Sequence, residues 1–196
     1  PGIVFGDFTN NSLNYTYLNV DNQWIASVIS YVNNIESKVG LNTSLSINGF
    51  GEPAISYRDA NAGALKFARY LTPNWKLEFV NPGSSDGQHS STAWIDDYRP
   101  AIAFYDQTQG DLVYAKWNLV ANNWIFEKVD TIGDVGRYVS LEIDSGSNPH
   151  MSYYDASLGD LKYAYWDTIS ASWKVTIVDP LGDVGYFSSL ALDASD

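Results

Sequence analysis

Carboxylates recur in this sequence at a fixed interval, in company that sets what they can do. Asp7, Asp59, Asp106 and Asp155 each close a short apolar run, and in three cases a glycine follows four residues on, at Gly63, Gly110 and Gly159. One carboxylate per repeat could bind a cation or a sugar hydroxyl. The same side chain also accepts backbone N–H bonds in a tight turn, and repetition is what a structural role demands, so the turn reading is preferred. Asp134 and Asp183 lie in two copies of Gly-Asp-Val-Gly and, with Asp86, could ring one face as calcium ligands. Calcium needs about six to eight converging oxygens, and no Asp-x-Asp-x-Asp-Gly loop is present, so no cofactor is expected and calcium is the weak exception.

Catalytic constellations are harder to assemble. His89 and His150 fall at non-equivalent places, and no cluster with zinc-ligand spacing surrounds either. A glycosidase needs two carboxylates about 5–9.5 Å apart. Glu36, Glu52, Glu78, Glu127 and Glu142 are scattered, as are the arginines that an acidic sugar would require, Arg58, Arg69, Arg99 and Arg137. The sequence therefore reads as non-catalytic, with a glycoside hydrolase as the least favoured alternative. Tyr98, Tyr138, Tyr186 and Phe187 sit at connections, where aromatic rings could stack on sugars, although inter-sheet packing accounts for most aromatics. Asn10, Asn14 and Asn42 head three Asn-x-Ser/Thr sequons, candidate glycosylation sites if the chain is secreted.

What positions these residues is a repeat. Residues 41–70, 88–117 and 137–166 are copies of one pattern, anchored at Pro53, Pro100 and Pro149 and closed by Trp75, Trp124 and Trp173. A fourth, degenerate copy starts at Pro1 and ends at Trp24. In the clearest copy, Ser140–Asp144, His150–Tyr154, Leu161–Trp166 and Trp173–Val178 alternate apolar and polar residues with period two, which predicts four strands. Asp-Ser-Gly-Ser-Asn-Pro and Asp-Ala-Ser-Leu-Gly-Asp supply the turns between them. Four antiparallel strands repeating every 47–52 residues predict an all-β, four-bladed β-propeller. The blades expected are 1–40 with 186–196, 41–87, 88–136 and 137–185, in a single domain of residues 1–196. In that phase the last strand, within 186–196, completes the first blade and seals the ring. Two alternatives stand beside closure within one chain: the strand completes the blade of another molecule, giving a larger ring or a fibre, or the chain is an excerpt of a longer array.

The unit from Ser140 to Trp166, S-L-x-I-D-x-x-x-x-P-H-x-S-Y-Y-D-x-x-x-G-D-L-K-Y-A-Y-W, resembles the propeller-like repeats of bacterial and archaeal secreted and cell-surface proteins. The first copy departs from it, with Gly6 and Asn14 where the best copy has Tyr154 and Lys162. The resemblance implies an extracellular, non-catalytic scaffold or adhesive module and specifies no ligand.

Composition narrows the partners. A net charge of −12 disfavours nucleic acid and anionic lipid surfaces. No run approaches the roughly 18 apolar residues that would cross a bilayer, so no membrane insertion is expected. The absence of cysteine removes disulfides, thiolate nucleophiles and Cys-based zinc sites. The first residue is Pro, which reads as a processed product or an excerpt. The expectation is an extracellular or cell-surface structural propeller that assembles with itself, filamentous or glycosylated, with a lectin-like carbohydrate-binding module as the alternative.

Overall fold

A computed structural model describes residues 1–31, 39–60, 62–81 and 87–193. Among these residues there are fifteen strands: β1 Gly2–Asp7, β2 Ser12–Leu18, β3 Trp24–Tyr31, β4 Val39–Ile47, β5 Pro53–Asp59, β6 Ala64–Leu71, β7 Asn74–Phe79, β8 Gln88–Trp94, β9 Pro100–Asp106, β10 Asp111–Asn118, β11 Asn123–Asp130, β12 Val135–Ile143, β13 Pro149–Asp155, β14 Asp160–Asp167 and β15 Ser172–Asp179. No helix occurs among the described residues. The strands form one three-stranded sheet, β1-β2-β3, and three four-stranded sheets, β4 to β7, β8 to β11 and β12 to β15, each a meander of antiparallel neighbours. The molecule is a four-bladed β-propeller whose sheets follow the repeat. The first strands β4, β8 and β12 lie beside one another and form the inner wall.

The turns explain themselves chemically. Asp7 Oδ1 accepts the amides of Thr9 and Asn10, Asp106 Oδ1 those of Thr108 and Gln109, and Asp155 Oδ1 those of Ser157 and Leu158. Asp59 Oδ1 accepts from Ala62 at 3.1 Å, and its Oδ2 pairs with Lys66 at 2.7 Å. Each aspartate thus pins the turn between the second and third strands of its blade. The glycine that follows adopts positive φ, 61° at Gly63, 74° at Gly110 and 77° at Gly159. Its carbonyl then reaches the next blade, Gly110 O accepting from Val135 N and Gly159 O from Val184 N.

Apolar residues gather in three seams, one between each pair of neighbouring sheets. Leu13, Tyr15 and Ile29 meet Ile55, Tyr57 and Ala68 in the first. Leu65 and Phe67 meet Ile102, Phe104 and Trp124 in the second. Leu112 and Tyr114 meet Leu141, Met151 and Tyr153 in the third. In every seam the fourth-strand Trp meets an aromatic of the preceding blade edge-on: Trp75 on Tyr15 at 5.5 Å, Trp124 on Phe67 at 5.1 Å, and Trp173 on Tyr114 at 5.4 Å. Lys162 bridges the third seam, 3.0 Å from Asp130 and 2.8 Å from Asp155, with the Tyr153 hydroxyl donating to Asp130 as well.

Two expectations need correcting. The segment expected to seal the first blade takes only half of that role. Leu190 N donates to Ser140 Oγ and Ser188 Oγ bonds Ser152 Oγ, which places it on the fourth blade where a next first strand belongs. Residues 186–193 form no strand, and among the described residues β1 pairs only with β2, so the first blade has three strands. Residues 194–196 lie outside the described residues. Secondly, β12 begins at Val135, five residues before the period-two pattern, because an irregular stretch at its start breaks the alternation.

Candidate functional site

That irregular stretch opens β4, β8 and β12, recurs at Gly185–Phe187, and builds the most distinctive surface of the molecule. At the entrance of β4, β8 and β12, and at the matching place before the 186–193 segment, a glycine with positive φ is followed, two residues on, by a second left-handed residue. The pairs are Gly40 and Asn42, Gly87 and His89, Gly136 and Tyr138, and Gly185 and Phe187. The glycine is obligatory on two counts. Its φ is 103° at Gly136, and a Cβ there would stand 2.8 Å from the Leu112 Cα of the preceding blade. Gly87 approaches Leu65 Cα, and Gly185 approaches Leu161 Cα, in the same way. The chain must then turn back into the ladder, which shifts register between Gln88 and Ser91 and between Arg137 and Ser140.

The second residues carry the consequence. Asn42, His89, Tyr138 and Phe187 have φ of 49°, 54°, 57° and 53°. Asn tolerates this region, whereas Tyr and Phe are strained in it, at a cost of about 1–3 kcal/mol each. The backbone at these positions turns four side chains, from β4, β8, β12 and the segment after β15, towards one hollow of about 320 Å³, completed by Thr43, Ser90, Val139 and Ser188. The rings stand side by side: His89 to Tyr138 at 4.1 Å and Tyr138 to Phe187 at 4.4 Å. Phe187 is 80% exposed, an unusual state for an aromatic without a partner to cover it.

Polar groups flank this row. Arg137 is forked onto Asp134, Nε to Oδ1 at 3.2 Å and Nη2 to Oδ2 at 2.5 Å, and lies over the Tyr105 ring. One repeat later, Asp183 accepts from the Tyr154 hydroxyl at 2.6 Å and the Tyr186 hydroxyl at 3.3 Å. These bonds, to Asp183 first and then to Tyr186, hold the Tyr154 phenol above its ordinary range, so it stays protonated. Burial, helped by the Arg137 charge, pushes His89 below the usual 6.5, so its imidazole is neutral at pH 7.

The remaining singled-out residues are placed as follows. Tyr138 and Tyr186 lie 5.3 Å apart at this row. Tyr98 lies in the β8–β9 turn, at the opposite end of the blades, edge-on to Phe50. Asn10 and Asn42 are exposed, whereas Asn14 is 8% exposed with its amide on Ser12 Oγ, which leaves a glycan no room. Trp24 stands exposed, unlike Trp75, Trp124 and Trp173. Asp86 and Glu36 lie outside the described residues. Among the described residues no three His, Asp or Glu side chains gather as metal ligands, and Asp134 and Asp183 are engaged with Arg137 and with tyrosines. The stretch Gly83 to Gly87 spells the serine hydrolase pattern G-x-S-x-G. It leads into β8 rather than the helix that motif requires, and residues 83–86 lie outside the described residues. A larger hollow of about 500 Å³, lined by Ile95, Trp117, Leu119 and Ile125, belongs to the third blade alone, and its charged pair Asp96–Arg99 is bonded to itself.

Sequence reasoning named Tyr138, Tyr186 and Phe187 but missed Asn42 as a lining residue, and His89. The signal was present: Gly40, Gly87, Gly136 and Gly185 recur at the repeat interval, each followed two residues on by Asn or an aromatic ring.

No protein-family model and no curated protein matches the sequence. Solved structures do match it as a fold. The exo-β-1,3-galactanase of Phanerochaete chrysosporium aligns with a TM-score of 0.56 at 11% identity, over 91% of this chain and 47% of that one. The intramolecular trans-sialidase of Ruminococcus gnavus gives 0.55 at 14%, over 86% and 41%. The Dos1 propeller gives 0.52 at 10%, over 90% and 44%. The chain spans less than half the length of each, and the likeness is one of propeller fold.

Proposed function

We propose that this protein is a non-catalytic, carbohydrate-binding propeller, working outside the cell, whose binding site is the Asn42–His89–Tyr138–Phe187 row. The observation that carries this reading is the strained, four-fold presentation of those side chains around one hollow. Strain of this kind persists where the surrounding structure imposes it, and it clusters at ligand sites. Ring faces offer flat apolar area to the C–H face of a sugar. The Asn42 amide, the Ser90 and Ser188 hydroxyls and a neutral imidazole offer the donors and acceptors its hydroxyls need. The hollow is at the lower end of the roughly 300–1,000 Å³ range of small-ligand pockets, a fit for one or two sugar rings. A net charge of −12, with Arg137 already neutralised by Asp134, favours neutral over acidic sugars.

Propellers of this fold include a galactanase and a sialidase, proteins named for acting on glycans. Their chemistry is not carried over, because the likeness is one of fold at 11% and 14% identity. Glycan on Asn42 and ligand in the hollow would compete for one space, so the reading assigns any modification to Asn10. The test is a glycan array probed with the wild-type protein, Tyr138→Ala and Phe187→Ala. Neutral oligosaccharides should be retained by the wild type and lost at least tenfold in both variants. An empty array with the wild type, or turnover of any bound glycan, would sink the proposal.

A further inference from the structure

One buried group of ionisable side chains takes no part in the row at the strand entrances. Lys162, Asp130 and Asp155 meet at the third seam and are 7%, 6% and 0% exposed. Two carboxylates against one ammonium leave a net negative charge out of reach of water, and the desolvation of such a group can exceed its internal attraction. The second seam shows that the fold does not require it. Val113 stands there at the register position of Lys162, and Asn81 follows Trp75 by six residues as Asp130 follows Trp124.

The two carboxylates are held in different ways. Asp130 Oδ2 accepts from Lys162 Nζ at 3.0 Å and from the Tyr153 hydroxyl at 2.8 Å. Asp155 Oδ1 accepts two turn amides, Ser157 N at 2.9 Å and Leu158 N at 3.2 Å. Its Oδ2 accepts no hydrogen bond among the described residues, although Lys162 Nζ stands 2.8 Å from it. A nitrogen thus presses on a carboxyl group outside hydrogen-bond geometry, while two amides fix that group's other oxygen. A second carboxylate touches the same nitrogen. Those are the parts of an acyl transfer held in contact: nucleophile, electrophile with donors on its oxygen, and proton carrier.

We propose that Lys162 and Asp155 join in an intramolecular amide, a covalent link that the folded chain makes by itself with loss of one water. The ammonium gives a proton to Asp155 Oδ2, leaving an amine beside a carboxylic acid. The nitrogen lone pair adds to Asp155 Cγ, and the carbonyl π pair moves onto Oδ1, where the Ser157 and Leu158 amides meet the charge. Asp130 takes a second proton from the nitrogen and hands it to the Oδ2 hydroxyl, which leaves as water with the C–O bonding pair. The Oδ1 pair re-forms the carbonyl, the third proton stays on the amide nitrogen, and Asp130 ends as the carboxylate it began. Nothing is oxidised or reduced. The product replaces two buried charges with a neutral amide, and contact within one fold supplies an effective concentration of about 10⁵–10⁸ M. Burial opposes the Lys162 charge, but the Asp155 and Asp130 carboxylates more than offset it and hold its pKa above the usual lysine value. The first proton shift is therefore the slow step, and the link forms gradually after folding.

Mass spectrometry of the intact, folded protein, taken at successive times after synthesis, should show the 21.7 kDa chain becoming one water lighter. Trypsin should then fail to cut after Lys162 and release residues 138–174 as one piece, one water short. Its fragmentation should give no backbone breaks between Asp155 and Lys162. Lys162→Arg, which keeps the charge, and Asp130→Asn, which removes the proton carrier, should both retain the full mass while circular dichroism shows them folded. Full mass in aged wild-type protein overturns the proposal. So does a water loss that survives Lys162→Arg or Asp130→Asn, or a branch joining Lys162 to the tryptic peptide 129–137, which would make Asp130 the acyl donor.

Discussion

Phe187 and Tyr138 hold aromatic rings in a backbone region that suits glycine, and that conflict can be measured residue by residue. Replacing Phe187 with Gly removes both the strain and an 80% exposed ring. Unfolding in urea should therefore show a stability loss below about 0.5 kcal/mol, or a gain, while glycan affinity falls. A loss above about 2 kcal/mol would mean that the ring is there for packing. His89 makes a pH prediction. Its pKa is lowered in the fold, by burial first and the Arg137 charge second, so the unfolded chain takes up the proton at higher pH than the folded one. Stability should then decline as pH drops below the unfolded value of 6.5 and level off below the lowered folded value. His89→Asn, which keeps a residue at ease with positive φ, should flatten that part of the urea stability profile; an unchanged profile would assign the decline elsewhere.

At the scale of elements, the strand-entry glycines fix how closely one blade approaches the next. Gly136→Ala should cost about 2–4 kcal/mol, because the added carbon meets Leu112 backbone at 2.8 Å as well as an unsuitable φ. Gly182→Ala has a similar φ of 95° but nothing within 4 Å, so it should cost only about 1 kcal/mol, and thermal unfolding of the two variants reads the difference. Strands, turns and blade number were legible because period-two alternation and the Pro, Asp, Gly and Trp positions recur in each copy. The bulges were not, since a left-handed residue followed by a register shift has no alternation to read. The binding row was partly legible: Tyr138, Tyr186 and Phe187 were visible as aromatics at connections, but only the fold shows that Tyr98 faces the opposite end and that Asn42 and His89 join the row. The failure of 186–193 to pair with β1 was also beyond the sequence, whose phase favours closure within one chain over closure between chains by only a modest margin.

Across the whole molecule, stability resides in seams between sheets rather than in one central core, so the same residue type has different worth at different places. Trp124→Ala, which removes a ring 8% exposed against Phe67, should cost about 3–5 kcal/mol in urea unfolding. Trp24→Ala should cost less than about 1 kcal/mol to the fold, because its ring already stands in water. Lys162 has a comparable long reach, since it answers Asp130 of the third blade and Asp155 of its own. The claim on which the functional account turns is that a neutral glycan sits on the row at the strand entrances. An aromatic and amide NMR titration with a neutral oligosaccharide tests that most directly. Shifts confined to Asn42, His89, Tyr138, Phe187 and their flanking serines are the predicted result; shifts centred on Trp117 and Ile125 of the third-blade hollow, or none at millimolar sugar, would contradict it.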